Sequence, residues 1–167
     1  MKIKLAVKTN SKNYPIIIGK NLIKNTQNIL NSYNVKFNKC LIVADKKVPK
    51  KNLSYLKNKI QCKEIVIFPF NSNEKNKNLI TVNKIIEKLF EKNFKRTDII
   101  ISLGGGITGD VTGYAASIFK RGLKFINIPT TLLAQVDSSI GGKTGINNRY
   151  GKNLIGSFYQ PDCVISD

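Results

Sequence analysis

Asp98-Ile99-Ile100-Ile101-Ser102-Leu103-Gly104-Gly105-Gly106-Ile107-Thr108-Gly109-Asp110 reads as a strand, a glycine turn and the start of a helix. An unbroken apolar, β-branched run stopped by glycines suits a strand covered on both faces, as in a parallel sheet, because a half-exposed strand alternates apolar with polar. Val111, Tyr114, Ala115 and Ile118 follow at helical spacing, which predicts a helix over 108–120. Glycine at such a junction lets the backbone approach a ligand, and the unpaired N–H groups of a first helical turn attract phosphate. Gly104, Gly106 and Gly109 satisfy G-x-G-x-x-G, yet the acid that should hold a ribose about 20 residues later is missing; the next strand ends Asn127-Ile128-Pro129. The turn therefore reads either as a phosphate cradle or as a device for packing a helix on a strand.

Strand and helix signals alternate outward from this stretch. Met1 to Thr9 alternates Ile3, Leu5 and Val7 with lysines, and Tyr14 to Ile18 follows a turn at 10–13, which predicts an antiparallel edge hairpin. A short helix is predicted over 22–30, a buried strand over 39–44 ending at Asp45, and a helix over 53–60. A strand over 64–68, closed by Pro69, precedes an amphipathic helix marked by Leu79, Val82, Ile85, Ile86, Leu89 and Phe90. Beyond the glycine turn, 125–128 is a strand stopped by Pro129, and 163–166 is a last one. The expectation is an α/β fold: a parallel sheet with helices on both faces plus an N-terminal antiparallel hairpin, in one domain over 1–167, with ligands beyond the carboxyl ends of the strands. Asp45 then sits where nucleotide hydroxyls are caught, or it caps the next helix.

The net charge of +18 raises the question of nucleic acid. Its distribution argues against that partner. Residues 1–100 hold 22 basic and 6 acidic residues, net +16, and residues 101–167 hold 6 and 4, net +2. The lysines are scattered among asparagines, aromatics are few, and Arg96, Arg121 and Arg149 are the only arginines, which is poor material for stacking or bidentate contacts. A compositional Lys/Asn bias accounts for the charge. Cys40, Cys62 and Cys163 form no C-x-x-C pair and no histidine accompanies them, so they read as reduced thiols with no zinc site. No window is long and apolar enough to span a bilayer, and the N-terminus lacks a signal-type apolar stretch; the expectation is a cytoplasmic protein with no membrane partner.

Residues 110–160 are rich in glycine, serine and threonine. Thr130 and Thr131 follow Pro129 and either cap a helix over 132–136 or bond a ligand. Gly142-Lys143-Thr144 looks like the end of a P-loop, but the first glycine of that motif belongs at position 137, which is Asp137. Lys143, Lys152 and Arg121 are either cations for an anionic substrate or solvated surface charges.

From Gly104 to Pro161 the sequence resembles the 3-dehydroquinate synthases of the shikimate pathway. The resemblance is carried by P-T-T-L-L-A-Q-V-D-S-S-I-G-G-K-T (129–144) and G-K-N-L-I-G-S-F-Y-Q-P (151–161), and more weakly it reaches the N-terminus. It implies a Rossmann-like domain with NAD lying across the glycine turn. Gly105, Gly106, Ile107, Thr108, Gly109, Asp110, Thr130, Thr131, Asp137, Ser138, Lys143 and Lys152 would be cofactor contacts. Asp45 and the loop Ser72, Asn73, Glu74, Lys75, Asn76 and Lys77 would hold the adenosine half. That loop reads D-G-E-x-x-K in the family; Ser72 and Asn73 replace its first two residues here, leaving Glu74 and Lys77. Asp137, Lys143, Lys152 and Asn153 match residues that meet the substrate. Arg121 matches one that reaches the phosphate in the partner subunit's site, implying a homodimer.

The family's reaction converts the sugar acid phosphate 3-deoxy-arabino-heptulosonate 7-phosphate to 3-dehydroquinate and phosphate. NAD oxidises C5 transiently, phosphate is eliminated, the ketone is reduced back, and an intramolecular aldol step closes the ring. A divalent metal, zinc or cobalt, polarises the C5 oxygen. Its ligands in the family are a glutamate and two histidines in a C-terminal helical domain beyond the position of Asp167, and this sequence has no histidine. The resemblance thus implies a partial chain that lacks the metal-binding domain and is inactive alone. Related sugar phosphate cyclases, which make deoxy-inosose or valiolone, share the cofactor half and are one alternative; a non-catalytic nucleotide-binding module is another.

Overall fold

The three-isoleucine run at 99–101 lies in a strand that is buried along its whole length, and the main sheet is built outward from it. A computed structural model describes residues 2–167. The elements are β1 (Lys2–Val7), β2 (Tyr14–Gly19), α1 (Thr26–Ser32), β3 (Lys39–Asp45), α2 (Lys50–Lys59), β4 (Glu64–Phe70) and α3 (Leu79–Glu91). They continue with β5 (Ile99–Gly104), α4 (Gly106–Ile118), β6 (Lys124–Pro129), β7 (Lys143–Asn148), β8 (Gly151–Phe158) and β9 (Cys163–Ser166). Seven strands form one sheet in the order β1-β2-β9-β6-β5-β3-β4, and β7 and β8 form a second sheet of two. Among the described residues only the β1–β2 pair of the large sheet is antiparallel.

Side chains alternate across a strand, so β3 feeds two cores. Cys40, Ile42 and Ala44 join Ile29 and Leu30 of α1 and Leu56 of α2 on one face. Leu41 and Val43 join Val82, Ile85 and Leu89 of α3 and Val111, Ala115 and Ala116 of α4 on the other. Helices therefore cover both faces, as the unbroken apolar runs predict. From β3 the chain goes first to β4 on one side and then to β5 on the other. The strand order reverses there, and such a switch point opens a crevice at the carboxyl ends. Ala44 pairs with Leu103, which leaves Asp45 and Gly104 facing that crevice.

The structure departs from the sequence reading at several boundaries. Helix α4 begins at Gly106 rather than Thr108, because Gly105 is the extended residue before it. Strand β4 runs through Pro69 to Phe70; it is an edge strand, where the missing proline N–H costs no ladder bond. Met1, included in the first predicted strand, lies outside the described residues. The helix predicted over 22–30 is a 3-10 turn at Ile23–Asn25 followed by α1, and that over 132–136 ends in a π-helical turn at Ala134–Ser138. Residues 143–158, read only as a ligand-rich region, form the β7–β8 hairpin, which packs on α4. A Cβ on Gly113 of α4 would lie 2.5 Å from Thr144 Cγ2, so glycine lets the hairpin approach.

Candidate functional site

The first helical hydrogen bond of α4 runs from Gly109 N to Gly105 O, at 3.1 Å. The N–H groups of Gly106, Ile107 and Thr108 precede it and point out of the helix end. No acidic residue lies in that first turn, so the positive end of the helix dipole is unopposed there. Asp45 does not cap α2, whose first residue follows Pro49. Its Oδ1 accepts Lys47 N at 3.0 Å.

The glycine turn is also packed by protein. A Cβ on Gly105 would lie 3.2 Å from Thr131 Cγ2, and one on Gly106 would lie 2.8 Å from Ser138 Oγ. The segment 131–138 therefore lies over the turn. Thr131 Oγ1 accepts Ala134 N at 3.3 Å, which is the capping role, while Thr130 N donates to Gly104 O at 2.9 Å and ties the end of β6 to the turn.

A cavity of about 500 Å³ opens between α4, residues 137–140 and the hairpin. Five predicted residues meet there: Asp110, Asp137, Ser138, Lys143 and Asn153. Ile140, Thr144, Leu154, Ser157 and Phe158 also line it and were missed, since the hairpin that presents most of them was not read from the sequence. Hydroxyls fix the hairpin to α4. Ser157 Oγ lies 2.9 Å from Ser117 Oγ, and Thr144 Oγ1 donates to Ser157 O at 2.9 Å.

Two predicted cations stand apart. Lys152 is exposed and outside the cavity lining. Arg121 lies past the far end of α4, whose 13 residues separate it from the glycine turn by roughly 20 Å. Three successive left-handed residues, Lys120 (φ 48°), Arg121 (φ 62°) and Gly122 (φ 123°), carry the chain around this corner, and Lys120 Nζ anchors it on Phe94 O at 2.8 Å. Arg121 itself is exposed.

The loop 72–77 is held largely by its own amides. Asn73 Oδ1 accepts Asn76 N at 2.9 Å, and Asn76 Nδ2 donates to Asn71 O at 2.8 Å. Ser72 is buried and Lys75 exposed. Glu74 Oε2 accepts Asn147 Nδ2 at 2.7 Å. Lys77 is 4% exposed, and its Nζ donates to Asp110 Oδ2 and Asn153 Oδ1, both at 2.5 Å. Burial raises the Asp110 carboxyl above its ordinary range, and the bonded Lys77 ammonium opposes that rise. Nothing in the spacing of Lys77 foretells its burial.

Among the described residues no group of three or more His, Cys, Asp and Glu side chains is placed to hold a metal ion. Cys40, Cys62 and Cys163 are free thiols. Among the described residues no helix is long and apolar enough to cross a membrane.

Among solved structures, a 2-deoxy-scyllo-inosose synthase superposes with a TM-score of 0.91 at 28% identity, covering 99% of this chain and 46% of that one. A 2-epi-5-epi-valiolone synthase from Streptomyces hygroscopicus subsp. jinggangensis 5008, with NAD+ and Zn2+ bound, superposes with a TM-score of 0.79 at 25% identity, covering 98% and 44%. The chain is 59% identical over 165 residues to a 3-dehydroquinate synthase of Pelagibacter ubique (strain HTCC1062), covering 99% of this chain and 45% of that protein. It is 47% identical over 167 residues to that of Campylobacter concisus (strain 13826), covering 100% and 46%. The chain thus spans less than half the length of these relatives. Residues 67–167, which contain the glycine turn, the cavity and the hairpin, match the family described as 3-dehydroquinate synthase N-terminal, and with identity at this level running through the whole chain, the protein belongs to that family.

Proposed function

We propose that residues 1–167 are the NAD-binding N-terminal domain of a 3-dehydroquinate synthase. One observation carries the cofactor reading: the strand-order reversal sets Asp45, at the end of β3, directly beside the glycine turn that opens α4, and a dinucleotide is held at such a switch point by an acid at a strand end and the N–H groups of a helix start. The residues fit it. Asp45 Oδ2 would accept a ribose hydroxyl, and the N–H groups of Gly106, Ile107 and Thr108 would meet the pyrophosphate. When bound, the nicotinamide supplies the reversible oxidation at C5 of the sugar acid phosphate.

The residues lining the cavity have complementary work. Lys143 and Asn153 bind and orient the anionic substrate, and Asp137 receives hydrogen bonds from its hydroxyls. Lys152, exposed beside Asn153, closes on the same substrate from the rim. Arg121, exposed and outside the lining of its own cavity, serves the partner subunit's phosphate site in a homodimer. No residue of this chain ligates the divalent metal, zinc or cobalt. The protein takes no nucleic-acid or membrane partner and works in the cytoplasm. The 167-residue chain alone binds NAD without turnover.

The related cyclases are the second reading, since two of them share the fold with TM-scores of 0.91 and 0.79. Identity of 59% and 47% to 3-dehydroquinate synthases, against 28% and 25% to those cyclases, favours the first. Phosphate release by the full-length gene product, given NAD and zinc, separates them. Turnover of 3-deoxy-arabino-heptulosonate 7-phosphate supports the proposal, and turnover of glucose 6-phosphate or sedoheptulose 7-phosphate alone contradicts it.

A further inference from the structure

Lys77 has the burial of a core residue and the bonding of a bridge. It leaves the 72–77 loop, yet its ammonium is committed to the first part of α4 through Asp110 and to the hairpin through Asn153. Its carbonyl is committed too, accepting Asn147 N at 2.8 Å. The hairpin answers on the same side: Asn147 Oδ1 accepts Asn153 N at 3.0 Å, and Asn147 Nδ2 donates to Glu74 Oε2 at 2.7 Å. Asn153 adopts φ 58°, a left-handed conformation that asparagine tolerates and that the flanking bonds hold.

We infer that Lys77 is a positioning residue, clamping the hairpin that carries Lys143 and Asn153 to the helix whose N-terminus takes the dinucleotide. The inference rests on the cofactor reading above for its consequence, though not for its geometry. Two of the three N–H donors of this ammonium are committed to protein acceptors, so part of its effect on binding runs through the groups it fixes. Removing its charge leaves the half-buried Asp110 carboxylate with no cation bonded to it, near Glu74 on the loop and lining the same cavity as Asp137 and Lys143. A partly desolvated, unpaired charge is unfavourable, and the inexpensive escape is for the hairpin to lift and admit water.

The test is hydrogen exchange of amides 147–158 in the 167-residue chain, with NAD+ titration alongside. Lys77→Met keeps the volume of the stem and removes the charge. The expected result is a rise in hairpin exchange and a loss of NAD+ affinity, each about tenfold, with exchange in β5 unchanged. Adding Asp110→Asn, or lowering the pH to protonate Asp110, should restore most of the hairpin protection, which a role in packing alone would not produce. Wild-type protection and affinity in Lys77→Met overturn the inference, as does a loss that neither change relieves. Should Lys77→Met not fold, Asn153→Gly keeps the left-handed backbone accessible and deletes the side chain that bears the acceptor; it should loosen the hairpin severalfold, and unchanged exchange overturns the inference. A wild-type chain that does not bind NAD+ defeats the cofactor reading, and hairpin exchange then judges Lys77 by itself.

Discussion

The Cβ of Asp45 stands 2.9 Å from the point where a side chain on Gly104 would begin. The carboxyl ends of β3 and β5 therefore meet in a gap that admits no extra atom, and Thr108 Oγ1 crowds the same point at 2.5 Å. Gly104→Ala should destabilise the chain by about 1–3 kcal/mol, since neither a backbone strand nor the first turn of a helix can yield cheaply. Urea unfolding measures it, and an unchanged midpoint would count against this geometry.

Thr108 and Thr112 lie one helical turn apart, and both hydroxyl oxygens are buried with no hydrogen-bond partner among the described residues. Replacing an orphaned hydroxyl by a methyl group of the same shape removes a desolvation cost of about 1 kcal/mol or more. Thr108→Val should accordingly raise stability or leave it unchanged. A clear loss in thermal unfolding would show that the hydroxyl has a partner in solution.

Burial, with Asp162 nearby, pushes the Cys163 thiol from its ordinary 9.0 up to about 12, and burial likewise lifts Tyr159 from 10.0 to about 12. Above pH 9 the unfolded chain releases protons that the folded chain keeps, so the unfolded state binds fewer and stability falls as pH rises. Between about pH 8 and about pH 10.5 the melting temperature of the wild type should drop further than that of Cys163→Ala. Equal drops in the two proteins would remove Cys163 as a cause.

The sheet was legible where one physical demand dominated. The isoleucines of 99–101 and the apolar run at 40–44 have no polar alternation, so only a doubly covered strand suits them, and Val82, Ile85 and Leu89 repeat at a helical period that one core satisfies. The hairpin was not legible, because its pairing depends on close approach rather than on apolar pattern. Gly145 faces Gly156, and a Cβ on Gly156 would sit 2.1 Å from Thr144 O; in the sequence such glycines resemble those of a ligand loop. Of the candidate site, the glycine turn and Asp45 could be placed from strand ends alone. The burial of Lys77 could not, since its partners lie 33 and 76 residues away.

The most direct measurement is calorimetric titration of NAD+ into the 167-residue chain, with Asp45→Asn beside it. Asparagine can still accept the Lys47 N–H bond, so the variant changes the charge offered to a ribose and little else. The account predicts one NAD+ per chain and an affinity about tenfold weaker in Asp45→Asn. A folded wild-type chain that takes up no NAD+, or an Asp45→Asn variant that binds it as tightly as the wild type, would contradict the placement of the dinucleotide in this crevice.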